Sequence, residues 1–290
     1  MKKTAITVLV VLGLIVFVAG IIEINRPTTF WYRVIDNETA VEIRRVRGRA
    51  GDIQIPSHLR YLPVTIIGAE AFRFYQHYHG VQRIGRVITS VSIPDTVTHI
   101  GRGAFRYNEL AYVVIPDSVT HIAEGAFGGS GGRIRSITLG SGVTHIGRNA
   151  FSISQLGHVN IPDSVIYLSG FNNAHLAAID IPYGVRYIGE LAFFRNDLRY
   201  VIIPGSVVYI GSRAFMGNSL ASIIIPDTVT HIGESAFRNN RLTSITIPDS
   251  MMYIGERAFA NNQLGSVNVP RHTTIANNAF DSGVMVARRN

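Results

Sequence analysis

From Ala71 onward, apolar and polar positions recur in one long pattern. An Ile-Pro or closely similar dipeptide returns at Pro94, Pro116, Pro162, Pro182, Pro204, Pro226, Pro248 and Pro270. Most steps are 22 residues; around Gly140, which takes the proline position once, they are 24, 22 and 20. A small residue and a phenylalanine follow at Phe105, Phe127, Phe151, Phe193, Phe215, Phe237, Phe259 and Phe280. Ala71-Phe72 opens this series, and Gly170-Phe171 is a degenerate copy. A fixed period in the twenties predicts a solenoid, because one unit cannot bury its own apolar face and neighbours must stack.

The copy from Leu242 to Asn262 assigns a task to each position. Leu242, Ile245 and Ile247 have strand spacing, with the two isoleucines inward and Thr246 outward. Pro248 lacks an N–H and ends the ladder. Met251 and Ile254 start a second extended turn, and Gly255 permits a sharp bend. Ala258 and Phe259 bring a small and a large side chain to the opposite wall, which predicts a phenylalanine spine along the core. Asn108, Asn196, Asn218, Asn240 and Asn262 each stand two residues before the leucine that opens a strand. A buried Asn there bonds the backbone of adjacent turns, so this column reads as structural.

Before the repeats, Lys2 and Lys3 precede an uncharged run from Thr4 to Ile22. A positive flank and an apolar stretch of this length predict either a cleaved signal peptide, with Val18-Ala19-Gly20 as a loose cleavage site, or an uncleaved membrane anchor. Both place the repeats outside the cytoplasm: at the cell surface, in a periplasm or secreted. The predicted organisation is residues 1–22 as signal or anchor, 29–55 as an N-terminal β cap, 56–280 as repeats and 281–290 as a tail. The expected fold class is a leucine-rich-repeat solenoid. It is a right-handed coil of short parallel strands, mostly β and irregular, with an N-terminal hydrophobic helix.

Composition narrows the chemistry. Hydrophobic residues make up 47% of the 290 and charged residues only 16%, which suits a packed core and excludes a charge-rich disordered chain. With no cysteine, thiol catalysis, disulfides and Cys-ligated zinc are excluded. The net charge of +8 is uneven: twelve Arg against six acidic residues lie between Arg26 and Arg106, and thirteen against twelve lie beyond.

The recurring motif, as in Ile247-Pro-Asp-Ser…Tyr253-Ile-Gly-Glu-Arg-Ala-Phe259, resembles the BspA-like leucine-rich repeats of bacterial and some protist surface proteins. The resemblance covers about Thr29 to Phe280. The segment from Phe30 to Ile43 looks like that family's N-terminal cap hairpin, and Pro63 to Phe72 looks like its first turn. The resemblance implies adhesion and protein–protein interaction, with a matrix protein or another cell as partner, and no shared catalytic motif. The family often carries Cys near the Asn position and this chain has none; nor does a cell-wall sorting signal follow Phe280.

Repeat geometry leaves three features over. An insertion of about eleven residues follows Phe72 and holds Phe74, Tyr75, His77, Tyr78, His79, Arg83 and Arg86. It is either a capping loop or a binding loop, since irregular loops on rigid scaffolds often carry function and Tyr and Arg are common hot spots. A second column holds His99, His121, His145, Tyr167, Tyr187, Tyr209, His231 and Tyr253. Stacked rings there stabilise the surface or make binding sensitive to pH. The third feature is the outward strand face, small and polar with scattered aromatics such as Tyr112 and Tyr200. Its low charge does not suit a nucleic acid, and no nucleic-acid partner is expected.

Arg44, Arg45, Arg47 and Arg49 cluster in the cap, where they suit an anionic glycan or membrane surface. Gly128-Gly-Ser-Gly-Gly132 falls where the repeat is two residues longer, so a loosened loop explains it. No carboxylate joins the histidines at a metal-binding register. The expectation is therefore a non-enzymatic surface-interaction or adhesion protein without cofactor or metal. A scaffold binding partners of the same cell, or anionic membrane surfaces, is the alternative.

Overall fold

The computed structural model describes residues 28–47, 51–73, 77–78, 81–82 and 87–289. The expected N-terminal signal or anchor lies outside them. Among the described residues, no helix is long and apolar enough to cross a membrane.

The chain winds into a β-solenoid of about 11 turns. At one end Thr29–Ile35 and Ala40–Arg47 form an antiparallel hairpin. Its second strand joins Leu62–Ile67 in parallel. From there, strands of two residues continue in register from His99–Ile100 to Thr274–Ile275, giving a 13-stranded sheet.

This sheet runs through the His/Tyr column, not through the Leu-to-Pro segments that the sequence marks as the leading strands. On that other side, pairing is intermittent. Gly51–Gln54 joins Ile88–Ser92, Tyr112–Val114 joins Ser136–Thr138, and Ser266–Pro270 joins Met285–Arg289. Isolated bridges link Asp180 to Ile202 and Ile224 to Thr246. The last strand, Met285–Arg289, comes from a stretch with no repeat signature.

The phenylalanine spine is continuous. Ten rings from Phe72 to Phe280 stack with near-parallel planes, their centroids 4.9 to 6.3 Å apart. Phe30 closes the N-terminal end edge-on, 6.3 Å from Phe72. Phe171, from the degenerate copy, takes its full place in the stack. Offset rings at this spacing combine burial with favourable quadrupole contact.

The asparagines form the second internal ladder. Asn218 is typical: its Oδ1 accepts Leu198 N–H at 3.1 Å, and its Nδ2 donates to the Phe193 and Phe215 carbonyls at 2.9 and 3.0 Å. Asn108, Asn240 and Asn262 repeat this arrangement. Backbone groups that the coil leaves unpaired are satisfied from inside the core. Close approach of turns also fixes the small residue after each short strand. A Cβ added to Gly255 would sit 2.6 Å from the Glu234 nitrogen.

Candidate functional site

The outward strand face is built by alternation. In each turn the residues flanking an inward Val or Ile point to solvent, because successive strand side chains take opposite sides. One exposed row holds Tyr112, Ser136, His158, Tyr200, Ser222, Ser244 and Ser266; its neighbour holds Val114, Thr138, Asn160, Asp180, Ile202, Ile224, Thr246 and Asn268. Two apolar groups stand out on this face. Tyr112 is 68% exposed beside Val114, and Tyr200 is 61% exposed beside Ile202 at 78% and Ile224 at 83%. Ile202 and Ile224 occupy consecutive turns. Strand alternation in the sequence already places both isoleucines outward, but only the two tyrosines of this face stand out there as binding residues.

The inserted segment is described only in part. His77–Tyr78 and Val81–Gln82 pair as a short antiparallel ladder. Phe74, Tyr75, His79, Arg83 and Arg86 lie outside the described residues. Arg49 does too. Arg44 and Arg45 are exposed on the cap, where Arg44 sits 3.5 Å from Glu42, itself paired with Arg33 at 2.8 Å.

On the continuous sheet, His99, His121 and His145 stack with nearly parallel planes, and Tyr167 follows at 6.3 Å. Each of these histidines places Nδ1 within hydrogen-bond distance of the preceding threonine hydroxyl, at 2.8 to 2.9 Å. Burial, and then repulsion from His121, hold His99 and His145 below the usual histidine range; Asp36 opposes this at His99. Tyr167 is pushed up, chiefly by burial. Among the described residues no group of three or more His, Cys, Asp or Glu is arranged to hold a metal ion.

Gly128-Gly129-Ser130-Gly131-Gly132 also spells G-x-S-x-G, the pattern of a nucleophile elbow, which the reading of this stretch as a loose glycine loop passes over. The structure removes Ser130 from that role. It is 4% exposed and sits three residues after Phe127, where other turns place the ladder asparagine. Its hydroxyl has no hydrogen-bond partner, and the segment forms turns without the strand-to-helix corner that the pattern requires.

The family follows from these repeats. The BspA type leucine rich repeat region model matches residues 85–170 and 164–285, in six copies. The chain belongs to the BspA-type leucine-rich-repeat family.

Solved structures agree on the fold. A leucine-rich repeat protein from Bacteroides ovatus is 24% identical with a TM-score of 0.60, over 89% of this chain and 66% of that one. YopM from Yersinia enterocolitica is 15% identical with a TM-score of 0.52, over 82% of this chain and 53% of that one. The chain thus spans somewhat under two thirds of the first and about half of the second. No curated protein matches.

Proposed function

We propose that this chain is an exported scaffold that binds a protein partner, such as an extracellular matrix component, through the outward face of its Leu-to-Pro strands. The observation that carries this reading is the exposed cluster of Tyr200, Ile202 and Ile224 on consecutive turns. Exposed apolar groups grouped on one face favour a partner that buries them. The phenylalanine and asparagine ladders hold the face in one shape, so little conformational entropy is lost on association. Stacked repeats suit this role because they present a broad, extended surface. Tyr112 with Val114 supplies a second contact on the same face. The inserted segment, with Phe74, Tyr75, His77, Tyr78, His79, Arg83 and Arg86, supplies a third.

The test is a binding titration of purified matrix proteins against the wild type and the Ile202→Ser/Ile224→Ser double variant, at low and high salt. Saturable binding that survives high salt in the wild type and falls at least about tenfold in the variant is the expected result. Binding that disappears at high salt and is indifferent to the two isoleucines contradicts the reading. It transfers the role to the arginines of the cap and to anionic surfaces.

A further inference from the structure

The three stacked histidines have a fixed protonation geometry. The ring centroids of His99 and His121 lie 4.7 Å apart, and those of His121 and His145 lie 4.5 Å apart. The planes differ by 9° and 8°. Each histidine follows a threonine whose hydroxyl donates to the turn below. Thr98 donates to Thr65 O at 3.1 Å, Thr120 to Thr98 O at 3.2 Å and Thr144 to Thr120 O at 3.0 Å. A hydroxyl has one proton, so its oxygen is left to accept from the imidazole Nδ1–H. All three rings are thereby held as Nδ1–H tautomers, with the Nε2 lone pair free. In this neutral form the stack offers acceptors only and repels anions.

Near-parallel rings at this spacing do not converge on one metal ion. Zinc–nitrogen bonds of about 2.0–2.1 Å would need neighbouring nitrogens no more than about 4.2 Å apart even in a linear bridge, closer than the rings stand. Protonation gives the stack a different use. Three Nε2–H donors then lie in a row, and the hydrogen-bonded sheet prevents the cations from moving apart. An anion lying along the row relieves their repulsion. The charged groups bordering the strip nearly balance. Asp36 acts on His99 from the hairpin turn, and Glu42 is paired with Arg33 and Arg44. Arg102 and Glu124 follow on the same turns, and Arg148 is paired with Glu124 and Glu190. Ile66 and Tyr167 close the two ends.

We propose that the His99–His121–His145 stack is a proton-gated site for sulfate oxyanions. A ligand for such a site must stay anionic where the histidines become cationic. Phosphate esters fall from two charges to one near pH 6, at about their second pKa, and so weaken just as the histidines charge, whereas a sulfate ester keeps its single charge and free sulfate keeps both. Free sulfate and the sulfate groups of a glycan share this chemistry. His231 is the built-in control. It keeps the same threonine partner, at 2.8 Å from Thr230, but lies between Tyr209 and Tyr253 with both centroids 6.3 Å away.

The test uses the full chain. Imidazole resonances are titrated from acid to neutral pH in sodium sulfate and in sodium chloride of equal ionic strength. Sulfate is expected to raise the midpoints of His99, His121 and His145 together, by roughly half a pH unit. Heparin binding is then measured at pH 5.5 and 7.5. The wild type and His231→Gln are expected to bind about tenfold tighter at the lower pH. His121→Gln, checked for an unchanged circular dichroism spectrum, is expected to bind alike at both. A sulfate response without tighter heparin binding at low pH still supports the site and names the free ion as its ligand. Midpoints indifferent to sulfate overturn the proposal. So does a pH dependence that survives His121→Gln, or that is lost equally in His231→Gln, because the arginines or a general charge effect then carry the binding.

Discussion

The turns that carry Asn196, Asn218, Asn240 and Asn262 and the turns that carry Ser130, Ser154 and Ala174 face the same requirement with different groups. In the first set, an asparagine side chain bonds the backbone of two turns at once. In the second set that side chain is missing. Ser154 returns only one bond, from its hydroxyl to the Phe151 carbonyl at 2.9 Å, and the Ser130 hydroxyl has none. Backbone takes over part of the task. Leu156 N–H, which an asparagine would accept in a regular turn, donates to the Ala174 carbonyl at 3.1 Å. This is the 20-residue repeat, two residues shorter than the usual 22. The spine keeps Phe151 and Phe171 at 5.5 Å across this shortened step and widens at the next. Phe171 and Phe193 stand 6.3 Å apart, against 5.3 Å for Phe215 and Phe237. This solenoid therefore tolerates variation in length and side chain, and even a buried hydroxyl without a partner, where backbone groups find another acceptor, as Leu156 N–H does.

The largest expected effect is on the regular spine. Phe215→Ala should destabilise by about 3–5 kcal/mol, from lost burial and the cavity left behind. Phe171→Ala should cost less than Phe215→Ala, since one of its ring neighbours is already more distant. Denaturant unfolding of both variants compares them directly; equal losses would remove the distinction between the regions. Next come the ladders. Asn218→Ala leaves Leu198 N–H and the Phe193 carbonyl without their partner, while the Phe215 carbonyl keeps its bond from Asn240 Nδ2. That should cost about 3 kcal/mol, whereas Ser154→Ala should cost about 1. Amide exchange at Leu198 should accelerate in Asn218→Ala while exchange at Leu156 stays unchanged in Ser154→Ala.

The pH effect is smaller. His99 and His145 bind protons less readily folded than unfolded. As pH falls below the unfolded value of about 6.5, the unfolded chain takes up protons first, so stability present above that pH is lost below it. Thermal unfolding between pH 7.5 and 5 should show this loss, and His99→Gln/His145→Gln should reduce it. A melting temperature that does not change with pH in the wild type would contradict it. The smallest effect on folding belongs to Ile224→Ser, which should change stability by under about 0.5 kcal/mol because the side chain lies in solvent.

Much of this was legible in the sequence because it repeats. The phenylalanine spine, the asparagine ladder and the His/Tyr column each declare themselves at a fixed interval, and a residue that recurs at one interval must occupy one place in every turn. Which column carries the continuous sheet was not legible. Ile245-Thr246-Ile247 and Tyr253-Ile254 both alternate in and out, and only backbone geometry decides which is hydrogen-bonded turn to turn. The threonine before each histidine was visible, but its effect on the tautomer depends on the carbonyl one turn below. The outward placement of Ile202 and Ile224 was legible from strand alternation; that they stand beside Tyr200 as an apolar cluster was not, because grouping across turns depends on how the turns stack. Ser130 could be judged only once its burial was seen.

The account rests on a partner engaging the outward strand face. Hydrogen–deuterium exchange of the chain, alone and saturated with a matrix protein that binds it, locates the engaged surface. Protection centred on Tyr200 to Ile202 and on Ile224, extending toward Tyr112 to Val114, is the predicted result. Protection confined to the cap around Arg44 and Arg45, with the strand face exchanging as in the free chain, would contradict it.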